Sequence, residues 1–410
     1  MYIIILIILS TLIIDFSINV FANFLNLKNM KKTVPKEFTG IYNHDQYKKS
    51  QKYLKAYTKF GVISSIFDII LFLGFWFLKG FPFLDNLVRA WNFGNISTGI
   101  LYIGILVLLK TIICLPLVIY STFIIEQKFG FNKTTPFLFA VDLIKSFVIS
   151  GILGVIFLGG ILCFFEYAGN QAWLMCWLGS TIFFFAVQYI VPNWILPIFN
   201  KFTPLENSDL RNSIIKYAKS INFSLDNIFV MDGSKRSTKS NAFFVGFGKN
   251  KRIVLFDTLI KKHTIGELVA ILAHEMGHFK KKHILKRLVI GIFQMGLIFF
   301  LMSLFISYQG LFDAFFMEQK SIYAGLIFFS IIYSSIDFFI SIIMKIISRK
   351  DEYEADKFAV QTIENKKDII NALKKLSAHN LSNLFPHDFY VFLNYSHPSI
   401  LDRIKTIRTF

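Results

Sequence analysis

Cysteine is nearly missing from this chain of 410 residues: Cys114, Cys163 and Cys176 are the full set, an odd number, and all three fall in apolar runs. That excludes a disulfide framework and leaves no thiolate cluster for zinc. Acidic side chains are scarce too, 26 against 44 Lys and Arg, for a formal net charge of +18. No internal repeat, low-complexity tract or long Gly/Ser linker divides the sequence. No basic segment precedes the first apolar run, Tyr2 to Leu27, and apolar residues continue past Asp15, so the run reads as an uncleaved helix rather than a signal peptide. Polar surface is scarcest of all. With 54% hydrophobic residues, 49 Phe and a mean hydropathy of +0.54, the composition excludes a soluble globular chain.

What is present is a series of apolar runs, each about long enough to cross roughly 30 Å of hydrocarbon as a helix. After Tyr2 to Leu27 come Phe60 to Leu78, Ile96 to Ile119, Phe147 to Phe165, Trp173 to Ile190, Leu288 to Ser307 and Ile322 to Ile347. Lysines cluster after the first span (Lys28, Lys31, Lys32, Lys36, Lys48, Lys49, Lys52, Lys55) and after the third (Lys128, Lys133, Lys145). The loops after the second, fourth and sixth spans are poor in them. With the N-terminus outside, every basic segment becomes cytosolic, and the surplus charge then faces anionic lipid rather than nucleic acid. The expected domains are a five-span membrane region (1–199), a cytosolic insert (200–287), two further spans (288–347) and a cytosolic tail (348–410). Asp15, Asp68, Lys110 and Asp337 interrupt the apolar runs. Charges at that depth either line an internal polar cavity or pair between neighbouring helices.

The chemistry concentrates in the insert, where His274, Glu275 and His278 read H-E-x-x-H behind Leu268, Val269, Ile271 and Leu272 at helical spacing. Histidines four apart lie about 40° apart around a helix axis, so both imidazoles can reach one tetrahedral zinc. Glu275 then stands beside the metal, placed to take a proton from the attacking water and pass it to the leaving amine. With only 8 His in the chain, a chance match is rare. A third ligand is offered downstream in SRKDEYEADKFA: Glu352 completes a His2Glu set, and Asp356, four residues on, can orient a ligand imidazole from behind. Upstream, Asn207 to Ser220 reads as a helix, and Ile228 to Met231, Ala242 to Val245 and Arg252 to Phe256 read as short strands, with Gly246 and Gly248 in the turn between the last two. A strand near the zinc helix can present an open edge to an extended peptide, although core packing alone would also account for NAFFVGF.

Six motifs in one order resemble the zinc-dependent type-1 CaaX prenyl endopeptidases, seven-span membrane gluzincins: EQKFGFNKTT (Glu126 to Thr135), PIFNKFTPLE (Pro197 to Glu206), the stretch Asp232 to Ile260, AHEMGHFKKKH (Ala273 to His283), SRKDEYEADKFA (Ser348 to Ala359) and YSHPSILDRI (Tyr395 to Ile404). The resemblance implies a mainly α fold, a seven-helix integral membrane bundle enclosing a chamber, with a zincin-like insert carrying a small β-sheet. It implies one Zn2+ per chain on His274, His278 and Glu352, with Glu275 as general base. It further implies His397 as a donor to the oxyanion, Asp356 and Arg403 as supports behind the ligands, and Asn241, Ala242, Phe243 and Phe244 as the substrate-binding edge. From the residues alone, His397 reads as a helix-start residue of the tail. Relatives commonly read S-H-S-N-A-Y-F where this chain has Lys239 and Phe243, and a frequent Trp is Phe279 here. These departures bear on substrate choice more than on chemistry.

The implied partners are a lipid bilayer and a peptide or protein substrate bearing a prenylated cysteine, with no nucleic acid. The implied activity is CaaX-type C-terminal processing by a zinc endopeptidase. The alternatives are a heat-shock-type quality-control metalloprotease and, from another class, a transporter or receptor with a structural zinc. The richness in Phe, Ile, Lys and Asn hints at an AT-rich genome, so the expected membrane is a bacterial inner membrane, or the endoplasmic reticulum of a eukaryote.

Overall fold

The computed structural model describes residues 2–225, 227–245 and 252–410. Its first part is five long apolar helices: α1 (Tyr2–Lys28), α2 (His44–Phe77) with a short α3 (Gly80–Arg89) behind it, α4 (Asn95–Tyr120), α5 (Pro136–Tyr167) and α6 (Ala172–Ile190). In hydrocarbon every backbone group must be satisfied within the segment, which is why uninterrupted apolar runs become helices. Polar side chains cap the starts of α2 and α5. Asn43 accepts from Gln46 N at 2.7 Å, and Thr135, followed by Pro136, accepts from Leu138 N at 3.2 Å. Pro192 lies in a π-helical turn, Val191–Ile195, that carries α6 into α7 (Leu196–Phe199); a proline supplies no N–H to an α-helical ladder, and the wider turn absorbs the loss.

The polar insert follows. It comprises β1 (Phe202–Pro204), α8 (Asp209–Ser220), β2 (Asn227–Met231), β3 (Ala242–Val245), β4 (Arg252–Phe256), α9 (Asp257–Ile260) and α10 (Ile265–Lys280). The strands lie in the order β1-β2-β4-β3, with β2 and β4 parallel and the outer pairs antiparallel; Phe243 faces Val254 and Ala242 faces Leu255. β3 therefore ends the sheet. The expected turn at Gly246 and Gly248 lies outside the described residues. β1 went unforeseen, because three residues are too few for a period-2 pattern to register.

Two more long helices, α11 (His283–Phe305) and α13 (Ile322–Thr362), flank a short α12 (Gln309–Ala314), and the tail folds as α14 (Lys366–His379), α15 (Asp388–Asn394) and α16 (Ile400–Ile407). Among the described residues seven helices are long and apolar enough to cross a membrane, in agreement with the seven runs expected. The chain does not break where the last apolar run ends. α13 continues through Ser348 for 41 residues in all, because a run rich in Glu, Lys, Arg and Ala is as helix-forming as the apolar run before it. Two large cores result among the described residues, beside a small cluster of Ile125, Phe129, Phe131 and Leu381. One, around Trp76, Phe81, Phe312, Phe315 and Phe328, ties the far ends of the long helices together. The other joins insert to tail through Leu268, Leu272 and Met276 of α10, Ile253 and Leu255 of β4, and Ile404 of α16.

Candidate metal centre

α10 begins with a reciprocal cap: Thr264 Oγ1 accepts from Glu267 N at 3.3 Å, and Glu267 Oε2 accepts from Thr264 N at 3.0 Å. Leu268, Leu272 and Met276 recur every fourth residue and are buried, which fixes the rotation of the helix and turns His274, Glu275 and His278 toward α13. The approach of the two helices depends on Gly277. A Cβ there would stand 3.1 Å from Ala355 O and 3.2 Å from Ala355 Cα, backbone atoms that cannot swing away. Gly277→Val is expected to cost about 1–3 kcal/mol of overpacking and to push the histidines away from Glu352. Thermal unfolding and metal content of the purified variant check this; a variant that keeps both would contradict it.

His274 Nε2 and His278 Nε2 lie 3.2 Å apart, and the Glu352 carboxylate is 3.3 Å from the first and 3.2 Å from the second. Ligands held about 2.0–2.1 Å from a tetrahedral ion are spaced about 3.3 Å from one another, so these separations fit such an ion. Glu352 is 3% exposed, and its Oε2 has no hydrogen-bond partner among the described residues. A buried carboxylate oxygen left without a hydrogen bond costs about 1–3 kcal/mol or more, a cost that a metal ion bound there would offset. Among the described residues this is the one group of three metal-ligating side chains whose donor atoms all lie within 4.8 Å of each other.

Behind the cluster, Asp356 Oδ1 lies 2.8 Å from His274 Nδ1. Asp356 is fully buried and receives a two-pronged guanidinium from Arg403 of α16, Nε to Oδ2 at 2.8 Å and Nη2 to Oδ1 at 2.6 Å. The carboxylate thereby accepts from His274 Nδ1–H and turns Nε2 toward the cluster. Glu275 lines the same cavity, of ≈ 650 Å³, and burial pushes its carboxyl above the usual carboxylate range against the pull of both histidines. His397, just ahead of α16 rather than in it, reaches back so that its Nε2 is 3.4 Å from Glu352 Oε1, while Nδ1 contacts Ser396 Oγ at 2.9 Å. Asn241, Ala242, Phe243 and Phe244 line the cavity opposite. His274, Glu275, His278, Glu352, His397, Arg403 and the Asn241 to Phe244 segment thus line one cavity, with Asp356 directly behind it.

Other wall residues have no role assigned from the sequence. Ile369, Leu373 and Leu376 of α14 supply an apolar side of the cavity, and His283 and Arg287 of α11 close another. Lys239 is also explained by distant partners. Its Nζ lies 3.0 Å from Glu126 Oε2, 3.1 Å from Tyr53 Oη and 4.5 Å from the Phe131 ring centre, a clamp from the stretch before β3 to α2 and to the segment that follows α4. Phe279 packs edge-on against Phe223 at 5.4 Å.

Known proteins are similar to this chain over nearly its whole length. Residues 23–201 match the model of the CAAX prenyl protease N-terminal region, five membrane helices, and residues 204–410 match peptidase family M48. The "Probable CAAX prenyl protease 1" of Schizosaccharomyces pombe is 36% identical over 376 residues, covering 88% of this chain and 79% of that protein. The "CAAX prenyl protease 1 homolog" of Homo sapiens is 31% identical, over 92% of this chain and 89% of that one. The crystal structure of S. mikatae Ste24p superposes with a TM-score of 0.93 at 31% identity, covering 98% of this chain and 99% of that one.

Proposed function

The chain belongs to peptidase family M48 and is a multi-pass membrane metalloendopeptidase, and on that premise we propose that it is a zinc enzyme that trims C-terminal CaaX segments of prenylated substrates. The observation that carries the site assignment is the convergence of two imidazole nitrogens and a buried carboxylate, one oxygen of which takes no hydrogen bond among the described residues, at the separations a tetrahedral ion requires. In this reading His274, His278 and Glu352 hold one Zn2+. The donor set of two neutral nitrogens and one carboxylate, with room for a fourth partner, is of the catalytic kind; a structural zinc normally has four protein ligands.

When bound, the metal supplies Lewis-acid polarisation of the scissile carbonyl and of the attacking water. The side chains supply the rest. Glu275 takes the proton of that water and delivers it to the departing amine, and a carboxyl raised by burial is better matched to proton transfer near neutral pH than an exposed one. His397, with Nδ1 engaged by Ser396, can present Nε2–H to the carbonyl oxygen as negative charge develops there. β3 offers its outer edge to an extended peptide, whose alternate side chains then meet Phe243 and Phe244. Asp356 and Arg403 move no proton; they hold His274 in the right tautomer.

The membrane helices of 1–199 and 288–347 would bring lipid and substrate together, and the insert 200–287 with the tail 348–410 would perform the cleavage. The lysine-rich segments support placing that side in the cytosol. Asp68 approaches Cys114 at 3.8 Å and Asp337 approaches Gln294 at 3.5 Å; these are loose contacts, suited to a hydrated interior between the helices. The names of the relatives favour CaaX processing over general quality control. A lipid-contacting wall contributes about 0.8 kcal/mol per buried CH2, so kcat/KM for a farnesylated CaaX peptide should exceed that of the unmodified peptide at least tenfold. Equal values, together with cleavage of unfolded membrane segments, would leave the endopeptidase and remove the CaaX assignment.

A further inference from the structure

His283 is almost wholly buried, 2% exposed, at the first position of α11. It lies five residues beyond His278, and the chain returns to α10 through Lys282, whose backbone has φ 60 in the left-handed region. A lysine in that region gives up about 1 kcal/mol or more relative to glycine, so the tight return is held by what it brings together. His278 Nδ1 and His283 Nδ1 stand 3.1 Å apart, and His283 Nε2 stands 3.1 Å from Glu354 Oε2, with Asp351 Oδ1 behind at 3.8 Å.

Only one proton fits between two Nδ1 atoms at that distance, and its owner follows from the rest of the chain of bonds. His278 Nε2 faces His274 Nε2 and Glu352 Oε1, where it can serve a cation only as an unprotonated nitrogen. The proton of neutral His278 is then on Nδ1, and His283 Nδ1 accepts it. His283 must carry its own proton on Nε2, the atom that faces Glu354. The two imidazoles over the cluster are thus supported unequally at Nδ1: Asp356 reaches His274 there directly, while among the described residues the Glu354 carboxylate reaches His278 there through a second histidine. Asp351, fully buried, is in turn held by Lys286 at 3.0 Å and Arg287 at 3.4 Å, which fixes the start of α11 against α13.

We propose that His283 is a positioning residue for metal binding: it accepts from His278 Nδ1 and donates to Glu354, so that His278 is locked in the tautomer and ring orientation that present Nε2 to zinc. This rests on the assignment of His278 as a ligand. Hydrogen-bond partners behind metal-binding histidines typically govern affinity by about 10–100-fold.

The test is the rate at which full-length, zinc-loaded protein in detergent loses its metal to excess chelator, compared among wild type, His278→Ala, His283→Ala, His283→Asn and Glu354→Ala. His278→Ala should retain no stable zinc. His283→Ala should lose zinc about 10–100-fold faster than wild type. His283→Asn, whose amide oxygen falls near the position of Nδ1, should recover much of that loss, and Glu354→Ala should lie between. A packing role alone would not be rescued by the smaller polar side chain, so equal loss from the Asn and Ala variants overturns the proposal, as does a wild-type rate in His283→Ala. Should His283→Ala fail to fold, Glu354→Ala decides: faster loss supports the proposal and a wild-type rate overturns it. Stable zinc in His278→Ala would instead remove the ligand assignment itself, so the two failures are distinguishable.

Discussion

Replacing Glu275 by Gln is expected to lower kcat/KM for peptide cleavage by about 10²–10⁴-fold, the usual worth of a positioned general base, while leaving metal content unchanged. Gln keeps the size and shape of the side chain, so the cavity and the packing of α10 survive. Its amide cannot take a proton from water. Glu275 is not among the three side chains whose donor atoms converge, and its own position beside them is what separates base from ligand. Steady-state kinetics on a soluble peptide, with zinc measured on the same sample, checks both halves of the expectation. Loss of zinc from Glu275→Gln would place Glu275 among the ligands and undo the division of roles.

The second large effect is expected from Glu352→Ala. Two histidines alone leave a zinc with two protein ligands, and the buried site then lacks the negative charge that partly neutralises the ion. Affinity should fall by more than the roughly 10–100-fold that follows loss of a hydrogen-bond partner behind a ligand, and cleavage should disappear with the metal. Arg403 adds to the consequence: its Nη1 is 3.6 Å from Glu352 Oε2, so removing the carboxylate takes one acid from beside a buried guanidinium that keeps its ion pair with Asp356, and raises the local positive potential against any cation. Equilibrium zinc binding in competition with a dye measures the drop. Full affinity in Glu352→Ala would require a different third ligand.

Much of this was legible in the sequence because the signals are local. An apolar run of about 20 residues has few fates other than a membrane helix, and two histidines and an acid four and one residue apart leave little choice of face on α10. Glu352 and Asp356 could be proposed together because four residues again make one face. The clamp on Lys239 was not legible, since Tyr53 and Glu126 lie far away in sequence and only the fold joins them. The apolar wall from α14 was hidden for a similar reason, its Ile369, Leu373 and Leu376 reading as an ordinary amphipathic stripe. His283 stood inside a recognised motif without a role, because a spacing of five residues falls on different helix faces unless the chain turns back between them. The turn at Lys282 does that, and no glycine announces it.

The assignment as a whole is tested most directly by removing the metal and returning it. Purified protein stripped with chelator should cleave no peptide, and stepwise addition of zinc should restore activity linearly up to a break at one ion per chain. Glu275→Gln should show the same binding break with no cleavage along the way. Cleavage by the metal-free protein, or full occupancy of the His274, His278 and Glu352 site without return of activity, would contradict the account.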